Sequence, residues 1–260
     1  MSKDTLGRTL LVATGVALGC ALMVSTTVYF LRPIQLAYAD LERNRIVVEA
    51  AGLAPAGSEL SDRAVVTLFA DLQVRIVDLE SDQFTDDVDP QLYDQRAASN
   101  DPEMSVAIPE QLDLARLGSR ARYVPVYLRV EGERIERIVL PVHGQGMWST
   151  IYGYLSLESD FNTITGIRIY EHGETAGIGD RIQAPVWQAE WIGRRLYDND
   201  GELRFRIARN ATPPFEVDSI SGASVTAEGV GNLVRYWLGE HGYGPLLTRL
   251  RASGTAAEGQ

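Results

Sequence analysis

From Leu10 to Leu31 the chain carries no charged residue, and this run limits the fold more than any other feature. As a helix rising about 1.5 Å per residue it would span roughly 33 Å, close to the hydrocarbon thickness of a bilayer. Lys3 and Arg8 precede it. Arg32, Arg43 and Arg45 follow it, mixed with Asp40 and Glu42. The charge bias is weak, and it is compatible with residues 1–9 in the cytoplasm, a transmembrane helix over 10–31 and a folded domain outside. Ala37-Tyr38-Ala39 also fits the small-x-small pattern of a signal-peptide cleavage site, although the apolar run is longer than such peptides need. A lipoprotein signal ending at Cys20 is a third reading, opposed by the apolar residues that continue beyond the cysteine. All three readings export the rest of the chain.

Charge and cysteine usage exclude several classes of function. The formal net charge is −11, and Lys3 is the only lysine. Nucleic-acid binding needs clustered positive charge to displace counterions, and no basic stripe is present. A single cysteine rules out an internal disulfide and any multi-cysteine metal site. His143, His172 and His241 are too scattered to suggest a metal. Redox chemistry would have to come from a bound group.

After Pro33 the pattern predicts an amphipathic helix over 36–53, ended by Gly52 and Pro55, then a second helix over 64–72 and a short strand at 74–77. Residues 78–120 are crowded with aspartate and interrupted by Pro90 and Pro102, which reads as a solvated surface excursion. A cation site there is a weaker reading, because the spacing does not match a calcium loop. Residues 123–130 and 134–142 alternate around Glu131-Gly132-Glu133 as a hairpin. Further strands are expected at 164–170 and 203–207, and helices at 184–196 and 226–239. Mixed elements dominated by hairpins make the class α+β. The expected organisation is a helical stalk with an acidic irregular region over 32–120, a ligand-binding domain over 121–250 and a flexible tail over 251–260.

Three glycine-bearing segments stand out. His143-Gly144-Gln145-Gly146-Met147-Trp148-Ser149 and Glu171-His172-Gly173-Glu174-Thr175-Ala176-Gly177-Ile178-Gly179 each follow a strand. Asp218-Ser219-Ile220-Ser221-Gly222-Ala223-Ser224-Val225-Thr226 precedes a helix. A Ser/Gly/Thr loop at a helix N-terminus offers N–H groups and hydroxyls to a phosphate. Glycines let backbone approach a flat ligand, and Trp148 or Met147 could pack on its ring. Plain turns and an ordinary helix N-cap at Ser224 or Thr226 would leave the same pattern.

At these residues the chain resembles the C subunit of the Na⁺-translocating NADH:ubiquinone reductase, within the wider family of domains that carry covalent flavin mononucleotide (FMN). Ser221-Gly222-Ala223-Ser224-Val225-Thr226, with Asp218 upstream, is similar to the family's attachment sequence. The Gly144-x-Gly146-x-Trp148-Ser149 loop, Tyr152-Gly153, Asp160-x-x-Thr163-Ile164, Glu171-His172-Gly173-Glu174-Thr175, Tyr236-Trp237-Leu238-Gly239 and Gly242-Tyr243-Gly244-Pro245 extend the resemblance over most of the chain. It departs at Ala176-Gly177-Ile178-Gly179, where the family has Pro-Gly-Leu-Gly, so the turn loses a preset φ angle but no polar contact.

The resemblance implies one FMN joined by a phosphodiester to Thr226, placed there by a flavin transferase using flavin adenine dinucleotide (FAD). It implies contacts from Ser221, Gly222, Ala223 and Ser224, and from Gly146, Trp148 and Ser149. Glu174 and Thr175 are candidate polar contacts, and Arg206 is a candidate for tuning the ring's charge. It further implies one-electron transfer between redox centres of neighbouring subunits, coupled in the complex to Na⁺ export across the bacterial inner membrane. NADH and quinone sites are expected on other subunits, since no strand–Gly-x-Gly-x-x-Gly–helix unit is present. An uncharged single helix gives Na⁺ no polar path through this chain. Two rival readings are the homologous flavin subunit of an Rnf-type ferredoxin:NAD⁺ reductase, towards which Gly179-Asp180-Arg181 leans, and a tethered binding module without a flavin.

Overall fold

The computed structural model describes residues 6–55 and 57–253. The chain divides into two units, residues 1–44 and 45–260. The first unit consists of most of α1, a helix over Leu6–Ala50. Within it, Gly7–Arg32 is long and apolar enough to cross a membrane, and none of this stretch is buried. Leu11, Leu22, Met23 and Phe30 all stand exposed. Such a helix, with no protein packed around it, fits a lipid environment. The helix runs unbroken through Pro33, where the sequence pattern had suggested a fresh start. Proline has no N–H to donate and costs the helix one hydrogen bond there.

The second unit contains the remaining elements in the order α2 (Asp62–Ala70), β1 (Leu72–Asp78), β2 (Gln83–Thr85), α3 (Gln95–Ser99), β3 (Ser105–Ala107), β4 (Ser119–Ala121), β5 (Tyr123–Glu131), β6 (Arg134–Gln145), β7 (Thr150–Glu158), β8 (Ile164–Glu171), α4 (Pro185–Ala189), β9 (Arg206–Ala208), β10 (Glu216–Asp218), α5 (Ser224–Trp237) and α6 (Gly244–Ser253). Six strands form one antiparallel sheet in the order β2-β1-β5-β6-β7-β8. The α+β class therefore holds.

Strand alternation divides the core between the two faces of the sheet. Val126, Leu128, Ile138, Leu140, Leu155 and Ile167 point to the main core, where Val230, Leu233, Val234 and Trp237 of α5 cover them. On the opposite face Tyr127, Val139 and Tyr154 pack with Leu72 and with Val47, Ala50 and Ala51 at the end of α1. Glycines set how closely α5 approaches the sheet. A Cβ on Gly144 would lie 2.6 Å from the Leu233 Cβ, and one on Gly229 would lie 2.9 Å from the Gln145 carbonyl oxygen. Trp237 Nε1 then donates to the His143 carbonyl at 2.7 Å, and the Tyr243 hydroxyl to that of Pro141 at 2.9 Å.

Several expectations need correction. Residues 78–120 are not simply a solvated excursion. Ala98, Ala115 and Arg120 are buried there, the Tyr93 hydroxyl donates to the Tyr123 carbonyl, and the Ala115 carbonyl accepts from Gln145 N at 2.7 Å. The helix expected over 184–196 shortens to α4, which leaves Gly193 at a φ of 77°. The strand expected over 203–207 is β9, paired in parallel with β10. Helix α6 reaches Ser253, inside the expected tail, and residues 254–260 lie outside the described part.

Candidate functional site

The three glycine segments come together at the N-terminus of α5. The first is the link between β6 and β7, closed by Gly146 N donating to the Ser149 carbonyl at 2.8 Å. It lies against α5, because a Cβ on Gly229 would also sit 3.2 Å from the Gly146 Cα. The second follows β8 and is fastened to the first by Gly173 N, which donates to Ser149 Oγ at 2.5 Å. The third is held by Ile220 and Ala223, both buried in the main core. Trp187 Nε1 donates to the Asp218 carbonyl at 2.8 Å and fixes its approach.

Glu174 is the hub. One carboxylate oxygen, Oε1, accepts from Trp148 N at 3.0 Å and Ser149 N at 3.3 Å. The other, Oε2, accepts from Met147 N at 3.3 Å and from the Thr226 hydroxyl at 2.6 Å. Both side chains are hidden, Glu174 at 7% exposure and Thr226 at 2%. Burial pushes the Glu174 carboxyl up, but the hydrogen bonds from Thr226, Trp148, Ser149 and Met147 outweigh it and hold the group below its ordinary range. The carboxylate stays charged because it sits in a nest of backbone amides. Two glycines make room: a Cβ on Gly146 would lie 2.6 Å from Glu174 Oε1, and one on Gly179 would lie 3.3 Å from Thr226 Oγ1.

The residues around this hub suit a phosphate and a flat ring. Helix α5 begins at Ser224 without a side-chain cap, so the N–H groups of its first turn remain for a bound anion. A cleft of about 560 Å³ opens beside it, lined by Arg209, Asn210, Asp218, Ser219, Ser221 and Ser224. Gly222, at a φ of 84°, turns the loop there. Arg181 donates to the Ser221 carbonyl at 3.0 Å and adds positive charge. Met147, Trp148, Ile178 and Val225 are exposed on these same segments, Trp148 by 65%. Such side chains suit contact with an aromatic ring system.

The structure thus brings together Gly146, Trp148, Ser149, Glu174 and Thr226, with Ser221, Gly222, Ala223 and Ser224 leading into the same helix start. Thr175 takes part through its carbonyl, which accepts from Ile178 N and Gly179 N. Its side chain is exposed and has no described contact with the hub. Arg206 is spent elsewhere: it pairs with Glu216 across β9 and β10 and makes no described contact with Glu174 or Thr226. Sequence reasoning missed Arg181, Arg209 and Asn210. The one available signal was that Arg204, Arg206 and Arg209 closely precede the Asp218–Thr226 segment in an otherwise acidic chain. Among the described residues no cluster of three or more His, Cys, Asp or Glu could hold a metal.

An uncapped helix start, a glycine cradle and an exposed apolar rim define a domain built for a phosphorylated flat cofactor. The FMN-binding domain family matches residues 146–239, which contain every one of these features. The C subunit of the Na⁺-translocating NADH-quinone reductase from Pseudomonas aeruginosa is 38% identical over 257 residues, covering 96% of this chain and 98% of that protein. Its counterpart from Vibrio alginolyticus is 36% identical, covering 96% and 97%. The crystal structure of Shewanella oneidensis NqrC superposes with a TM-score of 0.73 at 31% identity, covering 81% of this chain and 97% of that one. The chain belongs to the family of C subunits of the Na⁺-translocating NADH-quinone reductase.

Proposed function

We propose that this chain is the membrane-anchored flavin carrier of a Na⁺-translocating NADH:ubiquinone reductase, with FMN joined by a phosphodiester to Thr226. Residues 10–31 serve as the inner-membrane anchor, residues 1–9 lie in the cytoplasm and the 121–250 domain lies in the periplasm. The chain takes electrons from one neighbouring subunit and gives them to another, a relay coupled in the complex to Na⁺ export. The observation that carries the proposal is the Thr226 hydroxyl at the uncapped start of α5, inside a glycine cradle.

The bound flavin would supply the one-electron chemistry. The chain's own residues do the rest. The N–H groups of the first turn of α5 and the Arg181 and Arg209 guanidiniums would offset phosphate charge. Met147, Trp148, Ile178 and Val225 would offer the ring apolar contact. A covalent bond keeps the cofactor on an exported domain, whatever its redox state. The relatives named above are all quinone-reductase subunits, which supports this reading over the ferredoxin:NAD⁺ one.

Intact mass tests it. With an active flavin transferase and FAD, the wild-type chain should gain one FMN less one water, and Thr226→Ala should gain nothing. An unmodified wild type, beside an acceptor protein that the same transferase does modify, would overturn the proposal and favour a tethered binding module.

A further inference from the structure

We infer that Glu174 is the internal proton acceptor for the modification of Thr226, so that the chain supplies part of the catalysis of its own flavinylation. The inference rests on the Thr226 assignment above.

Thr226 Oγ1 lies 2.6 Å from Glu174 Oε2 and donates to it. A hydroxyl is a weak nucleophile, and an adjacent base that takes its proton is the usual means of activation. The Glu174 carboxylate cannot swing away freely, because its other bonds run to the amides of Met147, Trp148 and Ser149. It therefore fixes the Thr226 rotamer and draws the hydroxyl hydrogen inward, leaving an oxygen lone pair for an incoming phosphorus.

In the transfer, Thr226 Oγ1 attacks the flavin-side phosphorus of FAD. The Oγ1–P bond forms, the P–O bond to the adenosine phosphate breaks, and adenosine monophosphate leaves with that electron pair. The hydroxyl proton passes to Glu174 Oε2. No electron is gained or lost. Protonation also makes the carboxyl neutral beside the new diester, which removes the repulsion between two adjacent anions. Held by so many donors, Glu174 is a modest base. Its contribution is largest late in the reaction, when the threonine oxygen has become acidic.

Glycine is needed at the point where this pair meets its cover. A Cβ on Gly179 would lie 2.8 Å from the Glu174 Cβ as well as 3.3 Å from Thr226 Oγ1. The exposed 175–178 turn leads directly into this glycine. Thr226 is 2% exposed, so FAD reaches Oγ1 only when the cover around it opens.

The test is time-resolved intact mass of the full chain in detergent, with FAD and the transferase. Glu174→Gln should keep its melting temperature within a few degrees and be modified at least ~10-fold more slowly. Glu174→Ala should be slow as well and regain rate on addition of formate. Modification of Glu174→Gln at the wild-type rate would overturn the inference. Slow modification without formate rescue would overturn it too, by assigning Glu174 a purely structural role. Should Glu174→Gln fail to fold, Glu174→Asp, which retracts the carboxylate by one methylene, is judged by the same rate criterion. Failure of the wild type itself to be modified would instead sink the Thr226 assignment.

Discussion

Single residues here work through what they touch, and charge at a buried carboxylate is the clearest case. Asp78, at the end of β1, is 5% exposed and accepts from Arg122 Nε at 3.1 Å and Nη2 at 2.8 Å. The Arg122 hydrogen bonds hold its carboxyl below the ordinary 3.8, against the upward push of burial. A carboxyl lowered on folding stabilises the protein above its unfolded pKa, and the benefit is lost as pH falls through the folded value. Arg122 is 40% exposed, so water screens part of the pair. Asp78→Asn should therefore cost only about 1–2 kcal/mol at neutral pH. In paired urea melts the gap to wild type should be full above about pH 4 and close as the pH is lowered further. A gap that persists unchanged to pH 2 would refute the assignment. Thr226 and Glu174 were both legible in the sequence as candidate site residues. Their direct bond was not, because 52 positions separate them.

At the scale of elements, the site depends on how closely α5 lies against the β6–β7 link. Gly229 makes that approach. Alanine there would gain about 1 kcal/mol of helix propensity. Its Cβ would also press to 2.9 Å from the Gln145 carbonyl, and overpacking of this kind costs about 1–3 kcal/mol. The backbone carbonyl has little room to give, so the steric cost should win. Gly229→Ala should lower stability by up to about 2 kcal/mol and reduce flavin incorporation, read as bound-flavin absorbance per chain. A variant that is more stable and fully flavinylated would show that the contact relaxes freely. Helix α5 was legible because it has one wet face, which imposes a period of 3.6, and the hairpin β5–β6 because its ends near the turn keep Arg129, Glu131, Arg134 and Glu136 at least partly exposed against buried Leu128, Ile135 and Ile138. Strand β7 was not. Its Ile151, Tyr154, Leu155 and Leu157 are all buried, since both faces of this inner strand are covered, and burial on both faces erases alternation.

On the scale of the whole molecule, a stretch that suits lipid is joined to a unit that suits water. Removing residues 1–32 should leave a chain that stays in the supernatant without detergent after ultracentrifugation and melts within a few degrees of the full-length protein. The truncation keeps Val47, Ala50 and Ala51, which belong to the core. Precipitation or a large loss of melting temperature would show that the folded unit needs the anchor. The sequence by itself determined the membrane-length apolar run, the α+β class and the family, because these depend on local pattern: a charge-free run, alternation, and residue types at fixed spacing. Tertiary structure alone decided that Glu174 bonds Thr226, that Arg206 pairs with Glu216 instead of joining the site, and that Ala115 of the acidic region holds the end of β6. These contacts join residues far apart in the chain, and they exist only once glycines have let a helix and two loops approach within hydrogen-bond distance, which no local periodicity records.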